Sequence, residues 1–329
     1  MTAGATDAAP PYVHRDYPEF SWSSSRELLF ERCRRRYFWH YYGSSNGWER
    51  TSSDVAKTAW RLKNLTSFDV QVGTEVHERA KDYVASVLDG RPIPVASLIE
   101  TTMKALDELY ARSQDLESFQ ARPKRHPVAY GAYYKRGVLE NQLLRARARA
   151  VKCIDNLVSS AIWDEVGRAG KEGTVMVEPL STFQVGGITV YAVPDLVYLT
   201  NNEWTIVDWK TGVADEGSDQ LAVYGLYIRE ALSLTNPTSH YPTKLVHLQS
   251  GKVDVVRFTD SEILAVRTRI ECSAADMRDM LVDILTNRPK AMSGFQLTDD
   301  PSECRICPFF QLCEPELVLL GRAGVRLKF

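Results

Sequence analysis

The sequence predicts an α/β fold in which β-hairpins are set between long helical segments, and three observations carry that prediction. Apolar, β-branched runs flank Asn201-Asn202, and a pair of Asn residues tolerates the positive φ of a tight hairpin turn. Gly186-Gly187 is a second two-residue hairpin signal, separating residues 174–185 from 188–199. On either side of these strands, apolar residues recur at helical spacing, most plainly at Val76, Ala80, Tyr83, Val84 and Val87.

The hairpins bring acids together. With one turn centred between Asn201 and Asn202, Asp195 faces Asp208; with the other centred on Gly186-Gly187, Glu178 faces Asp195. Three carboxylates then stand abreast on strands about 4.8 Å apart. Lys210, two residues beyond Asp208, leaves the same face of its strand. Like charges at that spacing repel and raise one another's pKa, so a divalent cation is the expected compensation. Mg²⁺ takes a few carboxylate oxygens and keeps waters, which suits it to holding a phosphate oxygen while activating a water. Any one of these acids alone reads better as part of a solvated sheet face; their shared register favours a site. Pro179 and Pro194 cannot donate to a ladder, so a bulge there would slip the register by one residue.

The other elements follow in chain order. Residues 1–20 read as a flexible arm and 21–329 as one domain. Ser23–Ser25 offers an N-cap for a helix over 27–42, which carries Cys33 and a run of Arg32, Arg34, Arg35 and Arg36 suited either to a phosphate backbone or to a solvated surface. Tyr37, Trp39 and Trp209 are candidates for stacking on unpaired bases, with core packing as the alternative. A second helix spans Phe68–Leu88 and holds His77 near its apolar side. Long helices over 97–119 and 128–166 surround a Pro/Arg/His loop at 122–127, and the second bears Arg145, Arg147, Arg149 and Lys152 as a basic collar. After the carboxylate strands come a helix over 218–232 with Gln220 and Tyr224 on one face, a hairpin of 244–249 with 252–258, and a long helix over 261–285.

Length and composition set limits. The 329 residues can bury a large core, and 44% hydrophobic with 25% charged content is ordinary for a globular chain. A net charge of −2 requires any nucleic-acid contact to use local patches. No apolar run of about 18 residues and no secretory signal pattern is present, so a cytoplasmic location without a membrane partner is expected. Six cysteines without an export signal point away from structural disulfides. Cys304, Cys307 and Cys313 are spaced to wrap one metal centre, whereas Cys153 and Cys272 read as small buried side chains.

Pro194-Asp195 followed by Asp208-Trp209-Lys210 resembles the signature of the PD-(D/E)XK nuclease superfamily. The ordered series Cys33, His77, Glu178, Asp195, Asp208, Lys210, Gln220, Tyr224 and the cysteine triplet is similar to its RecB-like branch. The segment from Ser23 and Ser25 through Cys33 to Tyr37-Phe38 resembles the start of the AddB nuclease domain and of CRISPR-associated RecB-like exonucleases. The resemblance implies a restriction-endonuclease-like core with a central mixed β-sheet flanked by helices, enlarged by a helical insertion at about 91–170. It implies Mg²⁺ or Mn²⁺ on His77, Asp195 and Asp208, with Lys210 serving the attacking water, Glu178 supporting a ligand, water or second metal, and Gln220 and Tyr224 lining the cleft. It also implies a [4Fe-4S] cluster on Cys33, Cys304, Cys307 and Cys313 that joins the two ends of the domain; zinc needs the same four ligands but more often uses paired knuckles. The implied activity is metal-dependent DNA hydrolysis, as an exonuclease on single-stranded ends or flaps in repair, recombination or defence. Alternatives are DNA trimming in a CRISPR-adaptation complex and a non-cleaving end-binding subunit beside a separate helicase, since no phosphate-binding Gly-x₄-Gly-Lys-Ser/Thr loop occurs.

Overall fold

The computed structural model describes residues 14–175, 182–212, 218–234, 236 and 240–322. Helices α1 (Ser24–Arg32) and α2 (Arg34–Phe38) run into a π-turn at Trp39–Gly43, followed by α3 (Asp54–Lys63), α4 (Phe68–Leu88), α5 (Val95–Arg112), α6 (Leu116–Ala121), α7 (Tyr130–Tyr133), α8 (Leu139–Val158) and α9 (Ile162–Ala169). Then come β1 (Thr174–Val175), β2 (Thr182–Val185), β3 (Ile188–Tyr191), β4 (Leu196–Thr200), β5 (Glu203–Lys210), α10 (Ser218–Glu230), β6 (His240–His247) and β7 (Lys252–Thr259). The chain continues through α11 (Asp260–Arg278), β8 (Leu281–Asp283), β9 (Arg288–Pro289), α12 (Pro301–Arg305) and α13 (Phe310–Leu319).

The central sheet is mixed, in the order β1-β4-β5-β6-β7. Strands β4 and β5 are antiparallel, β5 and β6 parallel, and β6 and β7 antiparallel. The parallel pair requires a crossover, and α10 lies between β5 and β6 in the chain to supply it. Asn201 and Asn202 both have positive φ, as do Gly186 and Gly187, so both turns expected from these pairs form.

One expectation needs correction. The strand expected over 188–199 breaks at residues 192–195: β2 and β3 form a separate two-stranded sheet, and β1 takes the edge beside β4. The register also shifts by one residue, since Phe183 opposes Val190 in one pairing while Val175 opposes Val197 in the other. Pro194 lies in that break, where a ladder donor is missing. Glu178 falls outside the described residues.

Side chains alternate across the sheet and divide the core in two. Val197, Ile206, Tyr241 and Leu245 join α1, α10 and α11 on one face. Leu196, Tyr198, Val207, Trp209 and Val246 join α4, α5, α8 and α9 on the other. The helical block at 91–170 therefore shares one apolar cluster with α4 and the sheet. Residues 14–20 are also anchored: Tyr17 meets Tyr42 edge-on at 6.0 Å, and Asn287 Nδ2 donates to the Pro18 carbonyl.

Several helix limits differ from expectation. Cys33 is extended, with φ −161° and ψ 105°, and splits the expected helix 27–42 by capping α2. The long segment 128–166 is divided at Gly137 and again beyond Val158. Helix α11 ends at Arg278 because Leu281 pairs with Pro289 instead of extending it. Tyr37, Trp39 and Trp209 are buried and cannot stack on bases; Trp209 lies against Trp163 with ring centroids 5.6 Å apart. Cys153 is buried as expected, but Cys272 is exposed. Among the described residues no helix is long and apolar enough to cross a membrane.

Candidate active site

Strand β5 runs through the middle of the sheet and places Asp208 and Lys210 on the same side as Ile206. The β4–β5 ladder ends with Leu196 opposite Val207, so the next position along brings Asp195 beside Asp208. Because the chain leaves the sheet at Pro194, the Trp209 N–H finds a side-chain acceptor instead, donating to Asp195 Oδ2 at 2.8 Å. That bond fixes the carboxylate against β5.

Helix α4 supplies the third group. A Cβ on Gly73 would lie 3.4 Å from Thr211 Oγ1, so this turn of the helix runs close to the exit of β5. One turn later, His77 Nδ1 lies 2.9 Å from Asp195 Oδ1. Both oxygens of Asp195 are thereby engaged, one by a main-chain donor and one by an imidazole.

Asp208 is almost wholly buried. Burial and the adjacent charge of Asp195 push its pKa up to about 6, against the pull of Lys210 and His77. Its Oδ2 pairs with Lys210 Nζ at 2.8 Å. A carboxylate buried so deeply is costly unless cationic charge offsets it, and Lys210 supplies part of that charge. Burial alone would lower the His77 pKa, but the hydrogen bond to Asp195 and the charges of Asp195 and Asp208 outweigh it and leave the imidazole more basic than usual.

Helix α10 closes the other side. Lys210 Nζ donates to Gln220 Oε1 at 2.9 Å, and Gln220 Nε2 donates to the Tyr224 hydroxyl. Tyr224 is buried, and burial with the nearby Asp208 and Asp195 charges raises its pKa far above the ordinary phenol value. Asp208, Lys210, Gln220 and Tyr224 thus form a relay from the buried carboxylate into the helix, and Tyr224 supports that relay from within the core.

The four expected cysteines also converge. Cys33, at the α1–α2 break, lines one small chamber with Cys304, Cys307 and Cys313. Its Sγ accepts the Arg36 N–H at 3.4 Å. Burial pushes the thiols of Cys307 and Cys313 up to about 12. The buried Trp39 indole N–H has no conventional acceptor and faces the Cys313 thiol, whose pKa it lowers. No sequence signal marked Trp39 for this position; it comes from the π-turn that follows α2. Among the described residues, no group of three or more His, Cys, Asp or Glu side chains stands arranged to hold a metal ion.

Three of the four arginines of the run pair within this region. Arg35 is buried, donates Nε to the Phe295 carbonyl at 2.8 Å and pairs with Glu316; Arg32 and Arg36 approach Glu303 at 3.8 and 3.6 Å. The basic collar is similarly committed in part, with Arg147 on Asp107 and Arg149 on Asp69.

A crystal structure of SSO0001 is similar to this chain at 18% identity, covering 56% of this chain and 78% of that one, with a TM-score of 0.27. No curated protein matches. The sequence model of the PD-(D/E)XK nuclease superfamily matches residues 21–314, a span that contains α1, the sheet, the Asp195–Asp208–Lys210 constellation and all four chamber cysteines. The chain therefore belongs to the PD-(D/E)XK nuclease superfamily.

Proposed function

We propose that the protein is a Mg²⁺- or Mn²⁺-dependent deoxyribonuclease that hydrolyses phosphodiester bonds, acting as an exonuclease on single-stranded ends or flaps. The observation that carries this reading is the convergence of the buried Asp208 carboxylate with Asp195 and Lys210 at the end of the β4–β5 ladder. Asp195, Asp208 and His77 would hold the ion, which when bound supplies Lewis-acid polarisation of a phosphoryl oxygen and a more acidic water. Trp209 N–H and His77 keep the Asp195 carboxylate from rotating away. Gln220 holds the Lys210 ammonium at the edge of the site, where it orients the attacking water and offsets charge that builds on the phosphorus oxygens. Glu178 is assigned a supporting role toward a ligand, water or second ion.

The four chamber cysteines are proposed to hold a [4Fe-4S] cluster. Thiols with pKa values near 12 ionise only when a metal compensates the charge, and the Trp39 N–H is placed to donate to one of the sulfurs. The cluster's part is structural, since Cys33 and Cys313 come from opposite ends of the chain.

The decisive experiment compares cleavage of single-stranded, duplex, flap and RNA substrates by anaerobically prepared protein in Mg²⁺, Mn²⁺ and EDTA, with Asp208→Ala as control. Metal-dependent shortening of DNA from an end, lost in EDTA and in the variant, is the expected result. No cleavage of any substrate would point to the DNA-end-binding alternative.

A further inference from the structure

Seven tryptophans are present, and Trp48 alone is exposed, at 53% of its surface. It is held in that position by the backbone. Gly47 packs so tightly on α3 that a Cβ there would lie 2.3 Å from the Ala56 carbonyl and 2.4 Å from Trp60 Cβ, so the turn carrying Trp48 is pressed against the helix carrying Trp60. The two indoles meet at 6.3 Å with their planes 60° apart.

Two hollows, of about 430 and 470 Å³, join at Trp48, Trp60 and Lys124. Lys63 adds charge to the first, and Arg122 and Arg125, from the loop between α6 and α7, add it to the second. Among the described residues no Asp or Glu lines either hollow, although the chain as a whole has a net charge of −2. The Lys63 ammonium is anchored at the floor by donating to the His40 carbonyl at 2.8 Å. This arrangement lies apart from the His77, Asp195, Asp208 and Lys210 constellation and shares no residue with it.

We propose that this double hollow is a binding cleft for single-stranded nucleic acid, in which unpaired bases stack on Trp48 and Trp60 while Lys124, Arg122 and Arg125 receive the phosphates. Aromatic faces accept any base, and an acid-free row of cations follows a backbone without reading sequence. Duplex DNA keeps its bases stacked on one another and offers the tryptophans nothing, so the cleft selects strands that are already unpaired. The inference extends the hydrolytic reading by assigning the feature that chooses its substrate, and it rests on that reading for its role in the reaction but not for binding itself.

Binding is measured without cleavage, using the full chain carrying Asp208→Asn in EDTA and fluorescence anisotropy of labelled oligothymidylate, oligouridylate and a blunt duplex. Tighter binding of either single strand than of the duplex is expected, with the DNA and RNA arms showing which sugar the cleft prefers. Trp48→Ala should weaken single-strand binding about tenfold, with Trp48→Phe restoring most of it. Lys124→Ala should reduce the slope of log affinity against log salt by about 0.7. Trp48 is exposed, so an unchanged circular dichroism spectrum and melting temperature are expected in these variants. Equal binding of the duplex, or unchanged affinity in Trp48→Ala, would overturn the proposal. Intact binding with no cleavage by the unmodified protein would count against the hydrolytic reading alone.

Discussion

His77 and Asp195 are 118 positions apart in the chain, yet Nδ1 and Oδ1 meet at 2.9 Å, so helix α4 and the start of β4 are locked together at the site. The pair links the folding of the helical layer to the geometry of the carboxylates. His77→Ala should leave the fold intact but let the Asp195 carboxylate turn about its remaining bond from Trp209 N–H. The expected outcome is about a 10- to 100-fold rise in the Mn²⁺ concentration needed for half-maximal cleavage, read by metal titration. Unchanged metal dependence would remove His77 from the site.

Asp208 makes metal-free stability depend on pH in an unusual direction. Its folded pKa of about 6 lies above its unfolded value, so the folded state binds the extra proton between roughly pH 4 and 6. Its contribution to stability is therefore fully present below the unfolded pKa and is lost as pH rises through 6. In EDTA at pH 7.5, Asp208→Asn should melt at a higher temperature than the unmodified protein, and the difference should shrink toward pH 4. Adding Mg²⁺ should stabilise only the unmodified protein, and less so below pH 6. Differential scanning calorimetry across that range tests both signs.

The cysteine chamber predicts a shared fate for its four members. Ser at position 33, 304, 307 or 313 should each abolish the visible absorption and bound iron of anaerobically purified protein and lower its melting temperature, whereas Cys272→Ser, on the exposed face of α11, should do neither. Stoichiometric zinc in place of iron would replace the cluster while keeping the four ligands.

Arg35 provides a stability test independent of any metal. Its guanidinium is buried and joins α2 to the Phe295 carbonyl and to Glu316 on α13. Arg35→Ala should cost about 2–3 kcal/mol in urea unfolding, since it removes charged hydrogen bonds from a buried acceptor, with Arg35→Lys recovering part. A change below about 0.5 kcal/mol would show that neither bond matters.

What could be read from the sequence was local in origin. Asn201-Asn202 and Gly186-Gly187 specify positive φ within the residues themselves, and the turn at 201–202 carries Asp195 to Asp208 by counting alone. The spacing of Cys304, Cys307 and Cys313 marked that triplet, whereas His77 and the joining of Cys33 to the triplet came through resemblance, because nothing local links them to their partners. The breaks were not legible. Cys33 interrupts a helical segment because its backbone must expose Sγ to a chamber built mostly by residues beyond 300, and Pro194 redirects a strand whose apolar pattern continues past it. Tyr37, Trp39 and Trp209 show the same limit: an aromatic side chain fits a base or a core equally well until neighbours such as Trp163 are known.

The Arg35 amide donates to the Gln296 carbonyl at 3.0 Å, and its side chain completes its bonds only with Glu316. Helix α2 therefore completes its polar contacts with a residue 281 positions further along the chain. The loop that these bonds close is very long, but its entropic penalty grows only slowly with length, and a chain cut upstream of Glu316 would leave the buried Arg35 guanidinium without its carboxylate.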